Sequence, residues 1–546
     1  MGLELGPPGG LERRKGINMI RLREIALPPE HSVHQLGFEA ARLLKIPNSR
    51  VRGLRIVRRS VDARKKPDVK IVYTVDVTVE GNEQKILRQS GCKRAALAKP
   101  RFYKPPKAVA SGQRPVVVGF GPAGMFAALV LALAGLKPLV LERGQEAAAR
   151  HEKVQRFFET GQLDPKSNVQ FGEGGAGTFS DGKLNTGVNN ERIGWVLEQL
   201  VKAGAGEDIL FDAKPHVGTD VLLTVVQNIR KRIIDLGGEV RFNTQMVEIL
   251  EKNGEVVGVR TQNGETIPCK HLVLAIGHSA RDTFEALHAM GLPMEQKPFA
   301  MGVRIEHRQE TVDQAQYGKY DPVLPPADYK LVCHLEEDTV YTFCMCPGGF
   351  VVAAASEEGR VVTNGMSYAD RGGENANAAL LVTVNPRDLP GEGPLAGMYW
   401  QREIEEAAYR AGGDYRAPAQ RVGDFLAGRP SEGPGAVKPT YRPGVVWCDL
   451  HTVLPEKLTR ALKEALPRLE GSLKGFASND AVLTAPETRS SSPVRILRDE
   501  SRQSSLRGLY PTGEGAGYAG GIMSAAVDGI QTAEAIIESI KNASGI

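Results

Sequence analysis

The sequence predicts an α/β architecture: a Rossmann-like domain interrupted by an inserted mixed-sheet domain and preceded by a small α+β unit of ferredoxin-like pattern. Three observations carry this. The apolar run Val116 to Val118 leads into a glycine turn and a helical segment, and a second apolar run, PLVLERG, completes a βαβ unit of about 30 residues. Strand-and-glycine character returns near the C-terminus, at Leu509 to Ile522. Between these lie many short strands. At 546 residues the chain exceeds the roughly 250 to 300 that one hydrophobic core serves, so several domains are required.

In chain order, residues 1–18 lack the apolar centre of a signal peptide and are read as a poorly ordered leader. Residues 19–105 alternate strand, helix, strand, basic turn and strand; KIVYTVDVTVE has the period of two expected of a half-buried sheet. The segment RFYKPPKAVASGQRP reads as a linker. The Rossmann-like domain occupies 106–300 and resumes over 485–546, with the inserted substrate domain at 301–484. In the insertion, FAMGVRIEH, TVYTFCMCPGGFVVAAAS, SYADR and ALLVTV are read as strands.

Hydrophobic residues are 41% and charged residues 24% of the chain, the balance of a folded globular protein. The longest apolar stretch, Met125 to Gly135, falls far short of the roughly 20 residues of a membrane span, so no membrane association is expected. Six scattered cysteines fit reduced thiols in the cytoplasm. Cys344-Met-Cys346 is the one cluster; no second pair accompanies it to hold a metal, and it is read as two strand residues. Residues 1–110 hold 24 Lys and Arg against 10 Asp and Glu. Such a basic module could meet RNA, another anionic partner or the acidic remainder of its own chain, or simply be a solvated surface.

Gly119-Phe-Gly121-Pro122-Ala123-Gly124 fits G-x-G-x-x-G. The first glycine makes the turn, the second admits a pyrophosphate and the third packs helix on strand. The helix start offers N–H groups and a positive dipole end to phosphate. Glu142 ends the second strand, 23 residues after Gly119, where a carboxylate accepts from ribose hydroxyls. FAD rather than NAD is favoured by Leu272 to Gly277, a strand and glycine following a β-meander, and by Gly513, Glu514, Gly521 and Ile522. The helix beginning near Gly521 and Ile522 can stabilise charge on a reduced flavin ring. In the glycine-dense stretch Phe171 to Asn185, Gly174 and Gly175 are read as flavin contacts, and Val247, in the meander, as a further cofactor contact.

Taken together, GFGPAGMFAAL, NVQFGEGGAGTFSDGKLNTG, LAIGHSARDTF, PFAMGVRIEH, CMCPGG, ETRSSSPVRI and YPTGEGAGYAGGIMSAAVDGI resemble a family of largely uncharacterised FAD-dependent dehydrogenases with a glutathione-reductase-like FAD domain. The resemblance implies FAD held through Gly119, Gly121, Gly124, Glu142, Arg143, Gly277, Gly513 and Glu514, and an N-terminal module ahead of that domain.

Two residues are candidates for chemistry. Lys183 could hold a substrate anion, tune the flavin edge or lie on the surface. His278 could act as acid or base because histidine titrates near neutrality, or could cap or pack. Arg304 and Glu306 share a strand face, and Arg489 sits in a polar turn suited to a substrate carboxylate. The C-x4-C and C-x-x-C thiol pairs of disulfide reductases do not occur, so disulfide reductase activity is not expected, and no second strand-bracketed glycine fingerprint marks an NAD(P)H domain; NADH or NADPH would bind transiently. The expected activity is hydride transfer between FAD and a small organic substrate. The alternatives are an NAD(P)H-driven reductase or monooxygenase of similar fold, or an RNA-associated flavoprotein using the basic module.

Overall fold

The computed structural model describes residues 19–99, 102–107, 112, 114–187, 189–319 and 322–544. The leader read over 1–18 and part of the linker lie outside the described residues.

The N-terminal unit runs β1 (Ile20–Leu27), α1 (His34–Leu44), β2 (Val51–Asp62), β3 (Lys70–Val79), α2 (Glu83–Ser90) and β4 (Ala95–Leu97). Its antiparallel sheet has the order β2-β3-β1-β4, the βαββαβ arrangement of a ferredoxin-like unit. Leu36, Ala40 and Leu44 recur every fourth residue of α1 and are buried, which turns one helical stripe onto the sheet. The sequence reading did not place α2 and β4; α2 starts where the Asn82 side chain accepts from Lys85 N at 2.9 Å, an N-cap. Part of the positive charge is taken up internally, since Arg21 and Arg55 converge on buried Asp76 at 2.7 and 2.8 Å. Arg59 reaches outward to Asp212 at 2.6 Å.

A five-stranded parallel sheet follows. β5 (Val116–Val118), β6 (Leu139–Leu141), β7 (Glu239–Arg241) and β11 (Leu272–Leu274) join Leu509–Pro511 in the order Leu509–Pro511, β11, β5, β6, β7. The meander of β8 (Met246–Lys252), β9 (Glu255–Thr261) and β10 (Thr266–Pro268) lies between β7 and β11 in the chain. Helix α3 (Pro122–Leu133) links β5 to β6. It is apolar on every face, as a helix must be when sheet covers one side and the C-terminal helix Ile522–Ser544 the other.

Between β11 and Leu509–Pro511 the chain builds a seven-stranded sheet. Phe299–Arg308 lies at its centre, flanked by Asn375–Val384 and Val482–Glu487, with Thr339–Cys346 one strand farther out. Three of the four strands read in this stretch form; SYADR does not. Tyr368 to Arg371 make a turn, with Arg371 at φ +51°, and the strand precedes it at Thr363–Met366.

Candidate functional site

The C-terminal edge of the parallel sheet and the inner face of the seven-stranded sheet enclose a cavity of about 1030 Å³. One wall comes from the ends of β5, β6 and β11. Gly119 has φ +95°, and a Cβ there would lie 2.3 Å from the Ala275 carbonyl oxygen. Gly124 packs with equal economy, its missing Cβ falling 2.0 Å from the Gly119 carbonyl oxygen. The backbone of Gly119 to Ala123 therefore faces the cavity at the start of α3.

Glu142 lines this wall and also holds it together. Its carboxylate accepts from the N–H of Phe120, Gly144 and Gly172 at 2.8, 2.9 and 2.9 Å. A carboxylate offers about four acceptor positions, so one remains for a ribose hydroxyl. Arg143 beside it donates to Asp282 and Thr283, with its guanidinium 4.4 Å from the centre of the Phe171 ring.

The glycine-dense loop forms the next wall and is firmly held. Buried Arg150 donates to the carbonyls of Asn168, Val169, Glu173 and Gly175 at 2.7 to 2.9 Å. The sequence reading missed this residue, although a signal exists: Ala147, Arg150, Val154, Phe157 and Phe158 share the buried face of one helix, where an arginine requires internal partners. Gly175, Ala176 and Gly177 face the cavity.

Other expected contacts sort into lining and supporting positions. Gly121, Pro122, Ala123, Glu142, Arg143, Gly175, Gly277, Glu514, Gly521 and Ile522 line the cavity, as do Lys183 and His278. Gly124, Gly174 and Gly513 stand behind the lining, against Gly119, Thr178 and Ala123 respectively. Val247 is misplaced by one residue: it is 43% exposed on the outer face of β8, whereas buried Met246 lines the cavity. The alternation of a strand sends neighbours to opposite faces, so the register decides which of the two points inward.

The far side of the cavity is rich in polar groups. Arg304 is fully buried and donates to Glu487 at 2.6 and 3.1 Å, to Asn377 and Asn364 at 3.0 Å each, and to the Cys344 carbonyl at 2.9 Å. Burial pushes Glu487 up to about 7 even beside this guanidinium, while the arginine is held more firmly protonated; the bidentate contact fixes the charged pair. Lys183 donates to the Met345 carbonyl. Glu514 is also raised to about 7 by burial, opposed by the Gly521 N–H and Lys297. His278 shifts the other way, to about 3, because burial and the Arg489 and Arg281 charges disfavour its cation. Its Nδ1 meets the Ser279 hydroxyl at 3.1 Å.

Arg489 lines the cavity, but its guanidinium is spent on Glu405 at 2.8 and 3.0 Å and on Ser356 at 2.5 Å. Arg281 binds the same Glu405 at 2.7 and 2.8 Å. The substrate-carboxylate reading of Arg489 therefore gives way to a closed ionic cluster. Glu306, which shares the strand face of Arg304 as expected, accepts from Thr440 and Asn375 and holds two strands together. Cys344 at the end of its strand faces the cavity, a position the strand reading did not single out.

The fit to a dinucleotide rests on this geometry: a helix start and glycine backbone bare toward the cavity, a carboxylate with one acceptor position left, and room for an extended ligand. Among the described residues no helix is long and apolar enough to cross a membrane, and no group of three or more His, Cys, Asp or Glu is placed to hold a metal ion.

Comparison with known proteins gives the same cofactor. Residues 298–490 match the family described as FAD-dependent protein, C-terminal domain-like, and residues 176–298 match flavin-containing amine oxidoreductase. Residues 19–78 match a domain of unknown function. An uncharacterised protein of Clostridium beijerinckii is 48% identical over 530 residues, 95% of this chain and 98% of that protein. A geranylgeranyl bacteriochlorophyll reductase-like protein of Thermoplasma acidophilum is 13% identical, with 79% of each chain covered and a TM-score of 0.35. Glycine oxidase of Bacillus cereus is 11% identical, with 78% of this chain and 97% of that one covered and a TM-score of 0.34. Scores this low support no residue-by-residue correspondence. FAD is the cofactor that the first of these families names, and flavin is named by the second.

Proposed function

The chain belongs to the same family as the Clostridium beijerinckii protein and matches FAD-dependent and flavin-containing oxidoreductase families, and from that premise we propose that it is a dehydrogenase passing a hydride between FAD and a small organic substrate. The observation that carries this is one continuous cavity, lined at one side by Gly119 to Ala123 and Glu142 and at the other by Phe343, Cys344 and Glu487 of the seven-stranded sheet. Cofactor and substrate can thus meet in a single enclosed space.

FAD, when bound, supplies the two-electron chemistry. Gly121 and the start of α3 would hold its pyrophosphate, and the remaining acceptor position of Glu142 its ribose. The Gly175 to Gly177 backbone and the segment around Glu514 and Ile522 would bracket the flavin. The substrate would lie against Phe343, Thr342 and Asn364, where Lys183 provides positive potential. Six unpaired cysteines support a reducing cytoplasmic setting.

Anaerobic mixing of the purified, flavin-loaded protein with NADH and, separately, NADPH tests this reading. Flavin absorbance that persists with both nucleotides and bleaches with an organic donor is the expected result. Rapid bleaching by either nucleotide makes the NAD(P)H-driven reductase the correct reading, and a chain that cannot take up FAD overturns both.

A further inference from the structure

We propose that Cys344 and Cys346 form a redox-active dithiol that exchanges an electron pair with the flavin and reduces disulfide substrates entering the cavity. This rests on the FAD reading above and assigns a substrate class to the same site.

The backbone gives the first argument. Residues two apart on a straight strand are about 6.6 to 6.8 Å apart, at the upper edge of the roughly 4.4 to 6.8 Å that a disulfide spans. Thr339–Cys346 is not straight at this point. Its pairing with Asn375–Val384 shifts register between Phe343 and Cys346, and Cys344 has φ +42°, a conformation that non-glycine residues hold only where the surroundings enforce it. The kink brings the inner thiol back onto the outer cysteine: the Cys346 thiol donates to the Cys344 carbonyl at 3.3 Å.

Two cations enforce the kink. Fully buried Arg304 holds the Cys344 carbonyl at 2.9 Å, and Lys183, reaching across from the glycine-rich loop, holds the next carbonyl, that of Met345. Access differs between the thiols. Cys344 lines the cavity and is half-buried, whereas Cys346 is 0% exposed. An outer attacking thiol and an inner resolving thiol need that asymmetry. Electrostatics agree, since the Cys346 thiol, Arg304 and Lys183 lower the Cys344 thiol pKa against the opposing effects of burial and Asp181. Cys344 also lies within electrostatic reach of Glu514 and Glu487, on the side of the cavity away from Glu142.

The steps balance. An S–S bond between Cys344 and Cys346 opens by taking an electron pair and a proton from reduced FAD, leaving a Cys344 thiolate and a Cys346 thiol. The thiolate attacks an external disulfide, forming a mixed disulfide and expelling one thiolate. Cys346 sulfur then attacks Cys344 sulfur, re-forming the internal bond and releasing the second thiol; the Cys346 proton passes to the leaving sulfur. An organic donor of the class proposed above returns the flavin to its reduced form.

Anaerobic reductive titration of the oxidised, flavin-loaded protein with dithionite, followed by alkylation and mass measurement, tests this without an activity assay. Flavin bleaching alone consumes two electrons, so the relay requires about four per flavin in the wild type and about two in Cys344→Ser. Alkylation should label neither Cys344 nor Cys346 before reduction and at least Cys344 after it. If Cys344→Ser does not fold, the wild-type electron count and labelling decide the matter. A flavin-loaded wild type that takes two electrons, with Cys344 labelled before reduction, overturns the relay alone. A chain that cannot be loaded with flavin overturns the premise as well. A chromogenic aryl disulfide supplies the substrate test: its stoichiometric cleavage by reduced wild type, lost in Cys344→Ser, is expected, and equal cleavage by both removes the substrate assignment.

Discussion

The two sides of the cavity are built differently. The wall against Gly119, Gly121 and Glu142 is mostly backbone, set by residues within one βαβ unit and joined through one carboxylate. The wall against Cys344 and Glu487 is mostly side chains drawn from Lys183, Asn364, Glu487 and Arg489, which are far apart in sequence. A cofactor shared by many proteins can be gripped by local geometry, whereas a particular reaction needs charges placed by the whole fold.

This contrast can be broken or sharpened by substitution. The largest effect should come from the side-chain wall. Glu405→Gln leaves Arg281 and Arg489 buried without their common carboxylate, a loss of about 3 to 5 kcal/mol, read as a fall in the urea midpoint. The arginines hold the Glu405 carboxyl far below the usual carboxylate range. Its folded pKa is depressed, so its stabilisation is present above the ordinary value of about 4.3 and is lost as pH falls below it. The wild type should therefore lose stability between about pH 4 and lower values more steeply than the variant does; equal slopes would show the cluster to be energetically idle.

On the backbone wall, Gly119→Ala places a methyl group 2.3 Å from the Ala275 oxygen in a conformation that L residues resist, a cost of about 2 to 4 kcal/mol. The expected outcome is protein purified with little or no flavin absorbance. Arg143→Ala removes a half-exposed ion pair and a contact over Phe171, worth about 1 kcal/mol, and should weaken FAD binding roughly fivefold by calorimetry. Val247→Lys should be the smallest, within about 0.5 kcal/mol in the urea midpoint and without loss of flavin, because Val247 points outward. Flavin loss there would mean that the meander register is wrong.

Legibility in the sequence follows the same division. Gly119, Gly124 and Glu142 could be read because turn, close approach and strand end are encoded within 23 residues. Glu514 could be read for the same reason. Val247 was misread because a one-residue change of register reverses every facing position. The polar turn of Arg489 suits a substrate carboxylate when read alone, because Glu405, its partner, stands 84 residues earlier, and no local pattern links them. Cys344 looked like an ordinary strand residue. Its positive φ and its place in the cavity depend on Arg304 and Lys183, which arrive from separate segments.

One contact reaches beyond the cavity. Arg59 of β2 exchanges backbone hydrogen bonds with Phe211 and Ala213 at 2.8 Å each, and a few residues on, Pro215 and Val217 pair with Leu184 and Gly182 at 2.9 and 3.1 Å. Residues 211–217 are thus a short splint with one end on the N-terminal sheet and the other on the loop that carries Lys183. Docking of the N-terminal unit and order in that loop are thermodynamically linked: the free energy by which docking stabilises the ordered loop equals that by which the ordered loop stabilises docking.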